Sequence, residues 1–161
     1  MRKDNEPSSD PIAAVTGKVA VIASAFNRPV VDALVRGAVL AIESSGAELI
    51  GPIWVPGALE LPLLCEWVAE SVQPVAVIAL GCVIRGETRH FELVADNAVS
   101  GLQQVSLAHG IPIGQGVLAC ENLDQALARS AEGTSNSGFQ AARAALAMVA
   151  VRAQLGPDRP R

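Results

Sequence analysis

The chain has 161 residues, 50% of them hydrophobic and 17% charged, with a mean hydropathy of +0.36 and a formal net charge of -4. That length sets one domain with one core. No apolar run reaches the roughly 18 to 20 residues of a membrane helix, and a pI near 5.1 argues against a nucleic-acid partner, which needs a basic face.

Residues 1–16 are polar, contain Pro7 and Pro11, and read as a flexible arm. Residues 17–155 read as a single domain and 156–161 as a disordered tail. The opening MRKDNEPSSDP has no apolar stretch of the signal-peptide kind, so a cytoplasmic location is expected. Lys18 to Ser24 (KVAVIAS) is a short β-branched run, a buried strand. Pro29 suits the first turn of a helix whose apolar positions are Val30, Leu34, Val35, Ala38 and Ile42, ended by Gly46. A second strand is predicted over 47–55, and a helix after Gly57 carrying Leu63, Leu64, Trp67 and Val68. VAVIAL, 75–80, is a third strand. From about His90 the apolar residues Phe91, Val94, Ala98, Leu102 and Val105 recur at helical spacing. A fourth strand is predicted over 111–119, weakened by Gly114 and Gly116. Asn122 with Gln125 resembles a capping box opening a short helix. The last helix runs from about Asn136, with Phe139, Ala142, Leu146, Val149 and Ala153 on one face.

Strands without polar alternation, separated by helices, imply a parallel sheet covered on both faces. The expected fold is α/β, a three-layer α/β/α sandwich around a four-stranded parallel sheet of flavodoxin-like type. Ligands of such sheets bind beyond the carboxyl ends of the strands, which nominates Phe26 and Asn27, residues 56–60 and residues 81–90. Cys65, Cys82 and Cys120 form no CxxC and read as buried hydrophobes in a reducing compartment. His90 and His109 are too few and too separated for a usual structural zinc site, and no metal is expected. The apolar excess fits burial between subunits, so a homo-oligomer is expected.

Four constellations carry chemistry. Phe26 can stack on a planar ring with Asn27 beside it, or be a core ring followed by a helix cap. In VPGALELP, Glu60 can accept hydrogen bonds from hydroxyls or simply favour a helix dipole. In GCVIRGETRHFELV, the turn before a helix offers free N–H groups and the Thr88 hydroxyl to an anion. His90 in that first turn is disfavoured as imidazolium by the dipole, while Glu87 and Glu92 act in the opposite sense. Arg129, closing the short helix, suits a phosphate clamp and a helix C-terminus equally well.

In this order the motifs resemble the lumazine synthase family across about residues 18–155. They are Phe26-Asn27, VPGALELP, GCVIRGETRHF, IPIGQGVL, the QALAR of 125–129, and Asn136-Ser137-Gly138. The resemblance implies condensation of 5-amino-6-(D-ribitylamino)uracil with 3,4-dihydroxy-2-butanone 4-phosphate to 6,7-dimethyl-8-ribityllumazine, with no metal or organic cofactor. It implies that Phe26 stacks on the pyrimidine and Asn27 lies beside the ribityl chain. Ala58, Leu59 and Glu60 line the ribityl site, and the backbone of Cys82, Val83 and Ile84 meets the pyrimidine edge. Gly86, Glu87 and Thr88 form the phosphate turn, His90 moves protons, and Arg129 binds phosphate from a neighbouring subunit.

Two positions depart from the family pattern. Ser137 stands where many members carry lysine, and Gln115 where an aromatic is frequent, so phosphate binding leans on Arg129 and the lining contributed by an adjacent subunit is more polar. Members form pentamers, some assembled into 60-subunit icosahedral shells, with active sites at subunit interfaces. The short loop before Gly138 fits a shell, whereas Pro7 and Pro11 disfavour an arm that adds a strand to a neighbour. The alternatives are a non-catalytic flavin- or lumazine-binding shell protein and a riboflavin synthase of archaeal type. A generic flavodoxin-like signalling domain fits less well, because the strand ends lack a clustered acidic pocket.

Overall fold

In the computed structural model, residues 10–156 are described; most of the expected N-terminal arm (1–9) and C-terminal tail (157–161) lies outside them. Strand β1 (Lys18–Ser24) leads into α1 (Arg28–Ser45), followed by β2 (Glu48–Val55) and a single 3-10 turn at Ala58–Glu60. Next come α2 (Leu61–Ser71), β3 (Ala76–Ile84) and α3 (His90–His109). The chain ends with β4 (Ile113–Cys120), α4 (Leu123–Ser130) and α5 (Ser137–Gln154). The four strands form one sheet in the order β2-β1-β3-β4, every pair parallel, as expected.

Alternate residues of the central strands feed two cores. Val19, Val21 and Ala23 of β1 pack with Ile78 and Leu80 of β3 against α1 and α5. Ala20, Ile22, Val77 and Ala79 point the other way, against Leu61, Cys65 and Val68 of α2 and Ala98, Leu102 and Val105 of α3. This double burial is why the strands read as uninterrupted apolar runs. Residues 10–16 form no helix or strand, yet Ile12 packs on the first core and buried Val15 donates its N–H to Ser45 O at 3.0 Å.

Three sequence expectations are adjusted. Strand β3 runs four residues past the expected Leu80, because Cys82, Val83 and Ile84 continue the ladder with β4. The glycines of β4 accommodate close packing rather than weakening the strand: a Cβ at Gly114 would lie 2.3 Å from Ala141 O, where α5 crosses the sheet. On α2 the buried residues are Leu61, Cys65, Val68 and Ala69, while Leu63 and Trp67 are 54% and 56% exposed. That apolar pair belongs to the outer face of the helix, where α2 has no partner within its own chain.

Candidate functional site

The carboxyl ends of β1 and β3 and the loop after β2 surround a cleft of about 350 Å³. Phe26 and Asn27 reach it from β1, Ala58, Leu59 and Glu60 from the 3-10 turn, Cys82, Val83 and Ile84 from β3, and His90 from the start of α3. Gly57, within the nominated residues 56–60, also lines it, as does Val94, which was not anticipated as a site residue. Val94 lies one helical turn after His90, and that spacing was the available signal.

Phe26 is not a core ring. It is 71% exposed at the mouth of the cleft. Asn27 occupies the left-handed region (φ 54°) and its side chain does not cap α1. Its Nδ2 instead donates across the sheet to Cys82 O at 2.9 Å. That bond ties the loop after β1 to the end of β3, and a second amide hydrogen remains on the same nitrogen.

Glu60 folds back so that Oε2 accepts from Gly57 N at 2.8 Å, one half of a capping box whose other half glycine cannot supply. A Cβ at Gly57 would lie 3.0 Å from that oxygen and 3.4 Å from Cδ2 of Phe26, so the bare backbone lets ring and carboxylate share one corner. Burial pushes the Cys82 thiol up to about 11, with Cys120 adding to the effect, so the sulfur in the cleft is a protonated, apolar lining atom.

Gly86, Glu87 and Thr88 form the exposed turn between β3 and α3. Thr88 Oγ1 accepts from His90 N at 3.4 Å, which fastens the turn to the first residue of the helix. Glu92, two residues on, is held below the usual carboxylate range by its hydrogen bond from Arg85.

Six expected site residues do not line this cleft: Gly86, Glu87 and Thr88 of the turn just described, and Gln115, Arg129 and Ser137, which lie on other elements. Gln115 is on the outer strand β4 and donates to Val117 O at 3.2 Å. Arg129 lies in the last turn of α4, where Nη1 donates to Gln125 O at 3.2 Å. Ser137 opens α5 beside Asn136, a buried residue whose side chain joins three helices and whose structural weight sequence reasoning missed.

The 6,7-dimethyl-8-ribityllumazine synthase profile matches residues 16–153, nearly all of the described chain. The chain belongs to the 6,7-dimethyl-8-ribityllumazine synthase family. A relative of that name from Desulfovibrio desulfuricans is 41% identical over 140 residues, 86% of this chain and 90% of its own length. Another, from Xanthomonas euvesicatoria pv. vesicatoria, is 47% identical over 136 residues, 83% and 88% of the two chains. Membership makes the protein a transferase of riboflavin biosynthesis that acts on small molecules and assembles with copies of itself. Among the described residues, no helix is long and apolar enough to cross a membrane.

Proposed function

We propose that the cleft condenses 5-amino-6-(D-ribitylamino)uracil with 3,4-dihydroxy-2-butanone 4-phosphate, and that each working site is shared between two copies of the chain. The observation that carries this reading is the convergence of motif residues from β1, the 3-10 turn, β3 and α3 on one cleft, with the Gly86–Thr88 turn joining Ile84 to His90 beside it and Gln115, Arg129 and Ser137 on other elements. Phe26 supplies the stacking face for the pyrimidine, and the Cys82–Ile84 backbone lies along its edge. Asn27, Ala58, Leu59 and Glu60 take the ribityl hydroxyls. Gly86, Glu87 and Thr88 hold the phosphate, and His90 moves protons as the amine adds to the ketone and phosphate leaves. Fixing both substrates in reacting orientation supplies much of the acceleration, so His90→Ala slows turnover without abolishing it.

Gln115, Arg129 and Ser137 come from a second copy. A cleft on one side of the chain completed by residues from another side is a head-to-tail interface, which closes into a ring. We assign that ring as a pentamer, with a shell of sixty chains as its larger form. The outer faces of α2 and α3, with Leu63, Trp67, Leu93 and Leu107 exposed, supply apolar surface for the contact. Three free cysteines fit a reducing cytoplasm.

The test is an absorbance assay of lumazine formation with both substrates, using His90→Ala and Arg129→Ala separately and after dissociation and reassembly as a mixture. Shared sites regain activity in the mixture, because some sites receive His90 from one chain and Arg129 from the other. No activity in the wild type would defeat the proposal, and an active wild type with no recovery in mixed oligomers would defeat the shared site.

A further inference from the structure

Residues 85–90 are all exposed, although the turn at Gly86–Thr88 and His90 must keep fixed positions relative to the cleft. The bond from His90 N to Thr88 Oγ1 is long, and the firmer attachment is at Arg85. The Arg85 N–H donates to Cys120 O at 2.9 Å, extending the β3–β4 ladder by one step. Its guanidinium then forks. Nε and Nη2 donate to the two carboxylate oxygens of Glu121 at 2.6 and 3.2 Å, and Nη1 donates to Glu92 Oε1 in the first turn of α3. The Arg85 Cζ lies over the Phe91 ring, 4.4 Å from the centroid. One side chain thereby joins the ends of β3 and β4 to the start of α3 and closes off both sides of the turn.

Ion pairs this exposed contribute little to stability, but a forked and stacked guanidinium sets orientation well. Glu92 adds a reason to keep the contact intact, since its other oxygen is buried with no hydrogen-bond partner.

We infer that Arg85 is a positioning residue: it touches neither substrate and holds the phosphate turn and His90 in place through Glu121 and Glu92. The inference rests on the site reading proposed above. The rival role is direct, with the guanidinium leaving its carboxylates to bind phosphate. The two roles have opposite signs at Glu121, which lies outside the turn. If Arg85 positions, Glu121→Gln loosens the turn and weakens phosphate binding. If Arg85 binds phosphate, Glu121→Gln frees it and binding tightens.

The experiment uses full-length Glu121→Gln, Arg85→Gln and Arg85→Lys, with KM for each substrate and Ki for inorganic phosphate as a competitive probe. Positioning predicts that Glu121→Gln raises the sugar-phosphate KM and the phosphate Ki about three- to tenfold, with the pyrimidine KM near wild type. Arg85→Gln loses more, and Arg85→Lys does not restore it, because an ammonium neither forks nor stacks in the same way. A lower Ki in Glu121→Gln overturns the inference, as does a Ki unmoved in both Glu121→Gln and Arg85→Gln. If Arg85→Gln fails to fold, Glu121→Gln alone decides by the direction of its Ki. An inactive wild type counts against the site reading, whereas an active wild type with unmoved Ki values counts against Arg85.

Discussion

Asn136 is 3% exposed, and its amide makes contacts in two directions. Oδ1 accepts from Gly138 N at 2.8 Å and Phe139 N at 3.2 Å, capping α5. Nδ2 donates to Ser130 O at 2.8 Å, Ala33 O at 3.1 Å and Ala131 O at 3.2 Å, so its two hydrogens serve carbonyls of α1 and the end of α4. Asn136→Ala removes the cap, a loss of about 1 kcal/mol. It also removes two donor hydrogens from carbonyls with limited access to water, about 1 kcal/mol each. The expected destabilisation is therefore about 3 kcal/mol, read by urea unfolding at one fixed chain concentration, since oligomer stability depends on concentration. Asn136→Asp separates the two roles, because it keeps the cap acceptor and turns the donor into an oxygen facing three carbonyls. We expect a loss of about 2 kcal/mol or more at pH 7, when the carboxylate is charged. Such a carboxyl has a raised folded pKa, so stability is fully present below the unfolded value of about 3.9 and is lost as pH rises through the folded value. The Asp variant is thus expected to recover, relative to wild type, on acidification. An Asp variant as stable as wild type at pH 7 would refute the role as a tie between helices and leave Asn136 as a cap alone.

Gly57→Ala crowds the corner shared by Glu60 and Phe26 and is expected to raise the KM for the ribityl substrate about fivefold, through partial loss of one charge-assisted bond. Steady-state kinetics checks this, and an unchanged KM counts against Glu60 as a ribityl contact. Burial pushes the Cys65 thiol up to about 12 and that of Cys82 up to about 11, so neither is expected to react with a thiol reagent in the native protein at pH 8. With the folded value raised, their contribution is intact below about 8.5 and falls as pH rises through the folded value, so the melting temperature should drop more steeply above pH 9 in wild type than in Cys65→Ala. Glu92 has the opposite sign: its folded pKa is lowered by Arg85, so its contribution is present above the ordinary carboxylate range and is lost as pH falls through the folded value. Melting curves from pH 6 downward should therefore show a larger acid loss in wild type than in Arg85→Gln, and equal losses would remove the ion pair from the account.

Features set by neighbours in the chain were legible. Pro29 and Gly46 bracket α1 as its sequence implied, and the four apolar runs became four parallel strands. Features set by distant partners were not. Gly81 read as the first residue beyond a strand, but it lies inside β3, where a Cβ would come 2.8 Å from Ser24 Oγ on the adjoining strand. Asn122 caps α4 as expected, yet Gln125 returns its bond to Glu121 N at 3.0 Å, one residue before the cap. Asn27 looked like a helix cap because its partner, Cys82 O, is 55 positions away. Leu63 and Trp67 carried the apolar signal of a core face yet are exposed on the single chain, because an apolar residue in a sequence does not say what it packs against.

The same ambiguity joins assembly to catalysis. In a single chain Phe26 is 71% exposed beside a cleft that lacks Gln115, Arg129 and Ser137. A solvated aromatic at a cleft mouth is a poor stacking platform, because water competes for both its face and the ligand. In the shared site proposed above, docking a second copy at that mouth would dry the ring and bring a cation toward the anion in one step. Each charge interaction there is strengthened by the loss of water that accompanies it. On the same proposal Ser137 would make the dependence sharper, because a hydroxyl brings no positive charge to the interface and the geometry of Arg129 would have to do more. On that proposal a chain of this sequence carries its pyrimidine and ribityl contacts within one fold, and assembly completes its phosphate site.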